Sequence, residues 1–81
     1  MVEFRQLKYF VEVAKREHVS EAAELLHVAQ SAISRQIANL EDELGVELFE
    51  REGRNVRLTP AGRYFLPHAE AILRKVDYAK Q

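Results

Sequence analysis

Apolar residues recur at helical spacing from the start of the chain. Phe4, Leu7, Phe10, Val11, Val13 and Ala14 follow an i, i+3, i+4, i+7 pattern, which predicts an amphipathic helix over roughly residues 4–17. Lys8, Glu12, Lys15 and Arg16 fill its polar side. Ser20 then reads as a helix N-cap, with Glu21 and Glu24 where the positive end of a helix favours acids, so a short second helix is predicted at about 20–26. Only Ala22, Ala23 and Leu26 are placed to face inward, and two alanines require a neighbouring helix to approach closely. His27-Val28-Ala29 is a tight connection. Beyond it Ile33, Ile37, Leu40 and Leu44 keep one stripe, predicting a third helix from about Gln30 to Leu44 with Gly45 as its stop. Two helices joined this tightly, the first short and alanine-packed, form a helix-turn-helix candidate.

After Gly45 the period changes. Leu48-Phe49-Glu50-Arg51 and Asn55-Val56-Arg57-Leu58 flank Glu52-Gly53-Arg54, which predicts two short strands and a turn. Thr59-Pro60 is a strong helix start, an N-cap followed by proline at the first helical position. The last helix is expected to run to about residue 79 with Phe65, Ala69, Ile72, Leu73 and Val76 on its buried side. Pro67 lacks the N–H that would bond the carbonyl of Arg63, so a bend is expected there, with a break into two helices as the alternative. Gly62 costs about 1 kcal/mol against alanine inside a helix, and a close neighbour would account for it.

Composition narrows what such a chain can be. Its 81 residues make one domain, too small for a two-domain enzyme. A hydrophobic fraction of 47% and a charged fraction of 31% are those of a globular chain. With no cysteine there are no disulfides, thiolate zinc sites or cysteine nucleophiles. No apolar run is long enough to span a membrane, and MVEFRQLKYF carries charges where a signal peptide needs its apolar stretch. A cytoplasmic protein is therefore expected. The net charge of −1 hides a gradient. Residues 30–50 set Arg35 against Glu41, Asp42, Glu43, Glu47 and Glu50, while residues 51–81 are net basic through Arg51, Arg54, Arg57, Arg63, Arg74, Lys75 and Lys80. Bulk charge does not imply a polyanion partner, so any such partner depends on local patches.

The third helix sorts its polar residues by end. Gln30, Ser31, Ser34 and Arg35 occupy its first turns and Glu41, Asp42 and Glu43 its last, where acids oppose the helix dipole. That arrangement suits an amino end facing phosphates and an acidic end turned away, since free N–H groups and the positive dipole also attract phosphate. Gln30 and Ser34 lie on one line of the helix and Ser31 and Arg35 on the next, all off the apolar stripe. Such a surface fits the major groove: arginine can bond guanine O6 and N7, glutamine can do likewise with adenine, and serine reaches base or phosphate. Arg51, Arg54 and Arg57, around a glycine turn, suit backbone phosphate or the adjacent minor groove, with Arg57 equally placed to pair with an acid. His18, His27 and His68 lack acid or thiol companions at ligand spacing, so neither a metal nor a cofactor is expected. Ser31 or Ser34 with His27 lacks an orienting carboxylate and an oxyanion loop, so no catalytic residues are assigned and the chain is not expected to be an enzyme. Phe4, Tyr9, Phe10, Phe49, Tyr64 and Phe65 are assigned to core or interface.

The stretch V-A-Q-S-A-I-S-R-Q-I-A-N-L-E-D-E-L-G-V-E-L-F-E-R, residues 28–51, resembles the DNA-binding domain of LysR-type transcriptional regulators. The likeness extends through F-R-Q-L-K-Y-F (4–10), E-A-A-E-L-L-H-V (21–28) and R-L-T-P-A-G (57–62), nearly the whole chain. It implies a mainly α fold: a winged helix-turn-helix of three helices and a two-stranded β-wing over 1–58, with the helix-turn-helix at about 19–38, then a linker and dimerisation helix over 59–81. It also implies a larger effector-sensing domain that this chain stops short of. Carried over by motif position, the DNA contacts fall on Gln30, Ser31, Ser34 and Arg35, with Arg51 or Arg54 from the wing. The partners implied are a pseudo-palindromic DNA operator and a second copy of the chain, with a tetramer open to the intact protein. Two positions depart from the family pattern, Ala29 where serine is frequent and Ser31 where proline is frequent. Ala29 caps poorly, by up to about 1 kcal/mol against serine, and Ser31 is left either to cap or to touch DNA. Phe65, Leu66, Ala69, Ile72, Leu73 and Val76 give the last helix more apolar surface than one small domain can cover, which assigns them to the dimer interface.

Overall fold

The computed structural model describes residues 1–80. It holds four helices and one hairpin in the order α1 (Phe4–Arg16), α2 (Val19–Leu26), α3 (Gln30–Leu44), β1 (Phe49–Glu52), β2 (Asn55–Leu58) and α4 (Pro60–Ala79). The first three helices followed by an antiparallel hairpin form a winged helix-turn-helix, as the periodicity predicts.

Helix α1 is the centre of packing, and its two buried flanks serve two clusters. Val13 joins Val19, Ala22, Ala23, Ile33, Ile37 and Val56, which binds α2, α3 and the wing together. Leu7, Phe10 and Val11 join Leu40, Leu48 and Ala69, which binds α3, the α3–β1 connection and α4. Phe10 is fully buried, with its ring centroid 5.4 Å from Phe49 and 5.3 Å from Phe65. It therefore touches both the wing and α4, and its loss to alanine would cost about 3–5 kcal/mol.

The small residues of α2 do what their size requires. Ala22 and Ala23 are buried against the Ile33 and Ile37 face of α3, so the two helices pack closely. Val19 is buried beside them and Leu26 only partly, which adds a residue to the inward face expected from the sequence. The cap of α2 differs from the sequence expectation. Glu17 takes a left-handed conformation (φ 54°), which ends α1 and leaves His18 as the first extended residue. His18 Nδ1 accepts the N–H of Glu21 at 3.3 Å, and Ser20, already inside the helix, turns its hydroxyl to that same nitrogen at 2.9 Å. The histidine, not the serine, is the cap. His27, at φ 57°, closes α2 and starts the turn into α3.

Helix α4 opens as expected, with Thr59 Oγ1 accepting the Gly62 N–H at 3.0 Å. Gly62 lies against the connection before the wing: a Cβ there would collide with the Leu48 carbonyl oxygen and stand 2.8 Å from Leu58 Cδ2. The helix continues unbroken through Pro67, so the two-helix alternative is not realised. Its inward face also needs correcting. Phe65, Leu66, Ala69 and Leu73 pack on the second cluster, whereas Ile72 is 45% exposed. Tyr64 is likewise no core residue, being 74% exposed with its ring 5.1 Å from that of His68.

Candidate nucleic-acid interface

The amino end of α3 is open. Its N-cap is Ala29, which supplies no side-chain bond, so the first-turn amides are left for an outside acceptor. Ser31 makes no bond of its own to that end among the described residues, so the capping use is not realised and its hydroxyl is free. Gln30, Ser31 and Arg35 are exposed, while Ser34 is half-buried and lines a groove together with Ile37. Of the four residues singled out in the sequence, three are open to solvent and Ser34 sits partly covered beside the wing.

The hairpin register decides where the wing arginines go. Phe49 pairs with Leu58, Glu50 with Arg57, Arg51 with Val56 and Glu52 with Asn55. Side chains alternate across a strand, so Arg51 shares the face of Phe49, Val56 and Leu58, the face turned to the helices. There it lines a groove of about 160 Å³ with Ser34, Ile37, Ala38 and Glu41. Arg57 stands on the opposite face, its Nη2 donating to Glu52 Oε1 at 3.1 Å. Arg57 thus pairs with an acid, on a side chain that stays 56% exposed. Arg54 is exposed at the hairpin tip beside Gly53, whose φ of 63° makes the turn. Among the described residues Arg35, Arg51 and Arg54 take part in no ion pair.

Two groups that hold this surface were not evident from the sequence. Gln6 is buried; its amide nitrogen donates to Gln36 Oε1 at 3.3 Å and its oxygen accepts the Glu3 N–H at 2.9 Å, tying α3 to the start of α1. A glutamine between Arg5 and Leu7 carries no signal of burial. Glu41, one of the acids in the last turn of α3, uses Oε2 to accept the N–H groups of Leu48 (2.7 Å) and Phe49 (3.3 Å). Glu43 pairs with the N-terminal ammonium of Met1. Two of the three acids at this end, Glu41 and Glu43, therefore also have local partners.

On α4, Ala69 is completely enclosed by its own chain and has no surface left for a second one. Phe65, Leu66, Leu73 and Val76 are half-buried, and Ile72 and Tyr78 are exposed. Among the described residues no group of three His, Cys, Asp or Glu side chains is placed to hold a metal ion, and no helix is long and apolar enough to cross a membrane.

Comparison with known proteins adds to this geometry. The family described as bacterial regulatory helix-turn-helix protein, lysR family, matches residues 4–63. The transcriptional dual regulator GltC of Bacillus subtilis (strain 168) is 69% identical over 80 residues, covering 99% of this chain and 27% of that protein. BenM of Acinetobacter baylyi is 46% identical over 76 residues, 94% of this chain and 25% of that protein, so the chain spans about a quarter of the length of such relatives. Among solved structures, a CbnR_DBD–DNA complex superposes with TM-score 0.93 at 47% identity, covering 96% of this chain and 90% of that one. A BenM_DBD complex with benA site 1 DNA gives 0.89 at 45% identity, covering 95% and 90%.

Proposed function

Because the chain belongs to the lysR family of bacterial regulatory helix-turn-helix proteins, we propose that it is the sequence-specific DNA-binding unit of a transcriptional regulator, placing α3 in the major groove and the wing on adjacent phosphate or minor groove. One observation carries this reading: the uncapped amino end of α3 presents Gln30, Ser31 and Arg35 to solvent, with Ser34 and Arg51 side by side in the groove behind them. Exposed amides and an unpaired arginine at a helix amino end are an anion site, and glutamine and arginine beside it can read base edges. The DNA complexes of CbnR_DBD and BenM_DBD, built on the same fold, support the assignment. Gln30 and Arg35 read bases, Ser31 and Ser34 reach base or phosphate, and Arg51 and Arg54 anchor the wing.

Residues 1–58 act as the reading head and α4, Pro60–Ala79, as a linker helix that pairs with that of a second copy. Ile72 lies at the centre of the pairing surface, together with the uncovered parts of Phe65, Leu66, Leu73 and Val76. A helix of this length spans about 30 Å, which suits two heads meeting major grooves about 34 Å apart on a pseudo-palindromic site. The relatives are named as transcriptional regulators, and we read the chain as a non-enzyme acting in the cytoplasm.

Anisotropy titration against a randomised duplex pool, followed by selection, tests the reading. Enrichment of a two-part site, with affinity falling steeply as salt rises, is the expected result. No binding at low salt would make the chain an interaction module for another protein.

A further inference from the structure

We propose that Glu41 is the positioning residue of the wing: it sets β1 against α3, and so decides whether Arg51 and Arg54 meet the duplex in register with the reading helix. This role presupposes the DNA reading given above. Four amides of the α3–β1 connection end on this one residue. Gly45 and Val46 donate to its main-chain carbonyl at 2.8 and 3.2 Å, and Leu48 and Phe49 donate to Oε2 at 2.7 and 3.3 Å. The side-chain bonds are charge-assisted, roughly twice as strong as neutral ones, and offset the unfavourable site of a carboxylate at a helix carboxyl end.

The other edge of the same connection is held from α4. Thr59 N–H donates to the Leu48 carbonyl at 3.0 Å, Thr59 Oγ1 donates to the Glu47 carbonyl at 2.6 Å, and Gly62 packs directly on that Leu48 oxygen. Leu48 thus has its amide fixed to the reading helix and its carbonyl fixed to the linker helix. Removing Thr59 would disturb α4 as well as the wing, whereas removing the Glu41 carboxylate frees only the α3 side. Three residues beyond Leu48 comes Arg51, in the groove shared with Ser34 and Glu41 itself. Glu41 makes no ion pair with Arg51, so it acts on the arginine through the strand and leaves the guanidinium free for an outside anion. A carboxylate bound to two amides, on a surface meant for phosphate, is placed to hold backbone and not to touch DNA.

The test compares wild type, Glu41→Ala, Glu41→Gln, Arg54→Ala and the double variant Glu41→Ala with Arg54→Ala, by anisotropy on a selected duplex at several salt concentrations and by thermal melting. Glu41→Ala should lower the slope of log affinity against log salt by about two, as loss of the two wing phosphate contacts does. Glu41→Gln keeps an oxygen acceptor and should restore most of that slope. The double variant should lose no more than Glu41→Ala alone, and base preference opposite Gln30 and Arg35 should persist. A wild-type slope in Glu41→Ala overturns the role, as does a loss that adds in full to that of Arg54→Ala. If Glu41→Ala does not fold, Glu41→Asp, one methylene shorter, takes its place with the same expected slope loss, and a retained slope overturns the role. Failure of wild type to bind any duplex is a separate result, which removes the DNA reading and this role together.

Discussion

Two arginines that look alike in the sequence are assigned different work by their positions. Arg35 is exposed on the first turns of α3 and unpaired, so Arg35→Ala should cost about 1–3 kcal/mol on the selected site and flatten preference at one base pair. Competition titrations with single-base variants of the site check this, and equal loss on specific and random duplex would reassign Arg35 to phosphate. Arg54, at the hairpin tip, should act on every sequence alike: Arg54→Ala lowers affinity throughout and reduces the salt slope by about one unit. An unchanged slope would take the wing tip off the DNA. The exposure of Gln30, Ser31 and Arg35 was legible because their helical spacing sets them off the apolar stripe. Gln6 and Glu41 were not, because what matters in them is a bond to a residue 30 or 7 positions away, and neither separation has a local pattern.

At the scale of elements, spacing located the helices and the hairpin, and side-chain competition decided their ends. Ser20 has the better capping chemistry, but the left-handed turn at Glu17 brings the chain into extended geometry at His18, and the residue in that geometry does the capping. His18→Ala should therefore destabilise the fold by about 1 kcal/mol, read by thermal melting, while His18→Ser should hold near wild type. A larger loss in Ser20→Ala than in His18→Ala would return the cap to the serine. Gly62 tests the join between the wing and α4. Helix propensity alone makes Gly62→Ala favourable by about 1 kcal/mol. The collision with Leu48 O and Leu58 outweighs it, since overpacking a closed site costs about 1–3 kcal/mol. A net loss of stability on denaturant titration is expected, and a gain would show that the contact relaxes freely.

For the whole molecule, one chain leaves α4 with an apolar side that its own core does not cover. The sequence showed the surplus of apolar residues there, but not which of them the first chain would use. Phe65, Ala69 and Ile72 all lie near one stripe, yet the packing buries Ala69 and leaves Ile72 45% exposed. Ile72→Lys should accordingly leave the melting temperature nearly unchanged, reduce self-association in sedimentation, and lower affinity for a two-part site toward that for a single half-site. A sedimentation profile identical to wild type would place the pairing surface elsewhere. That α3 reads the major groove from its amino end is tested most directly by methylation interference on a selected duplex. Guanine N7 opens into the major groove and adenine N3 into the minor. The predicted result is interference at guanine N7 in two clusters one turn apart, with one position falling silent in Arg35→Ala. Interference confined to adenine N3, or none within the selected site, would contradict it.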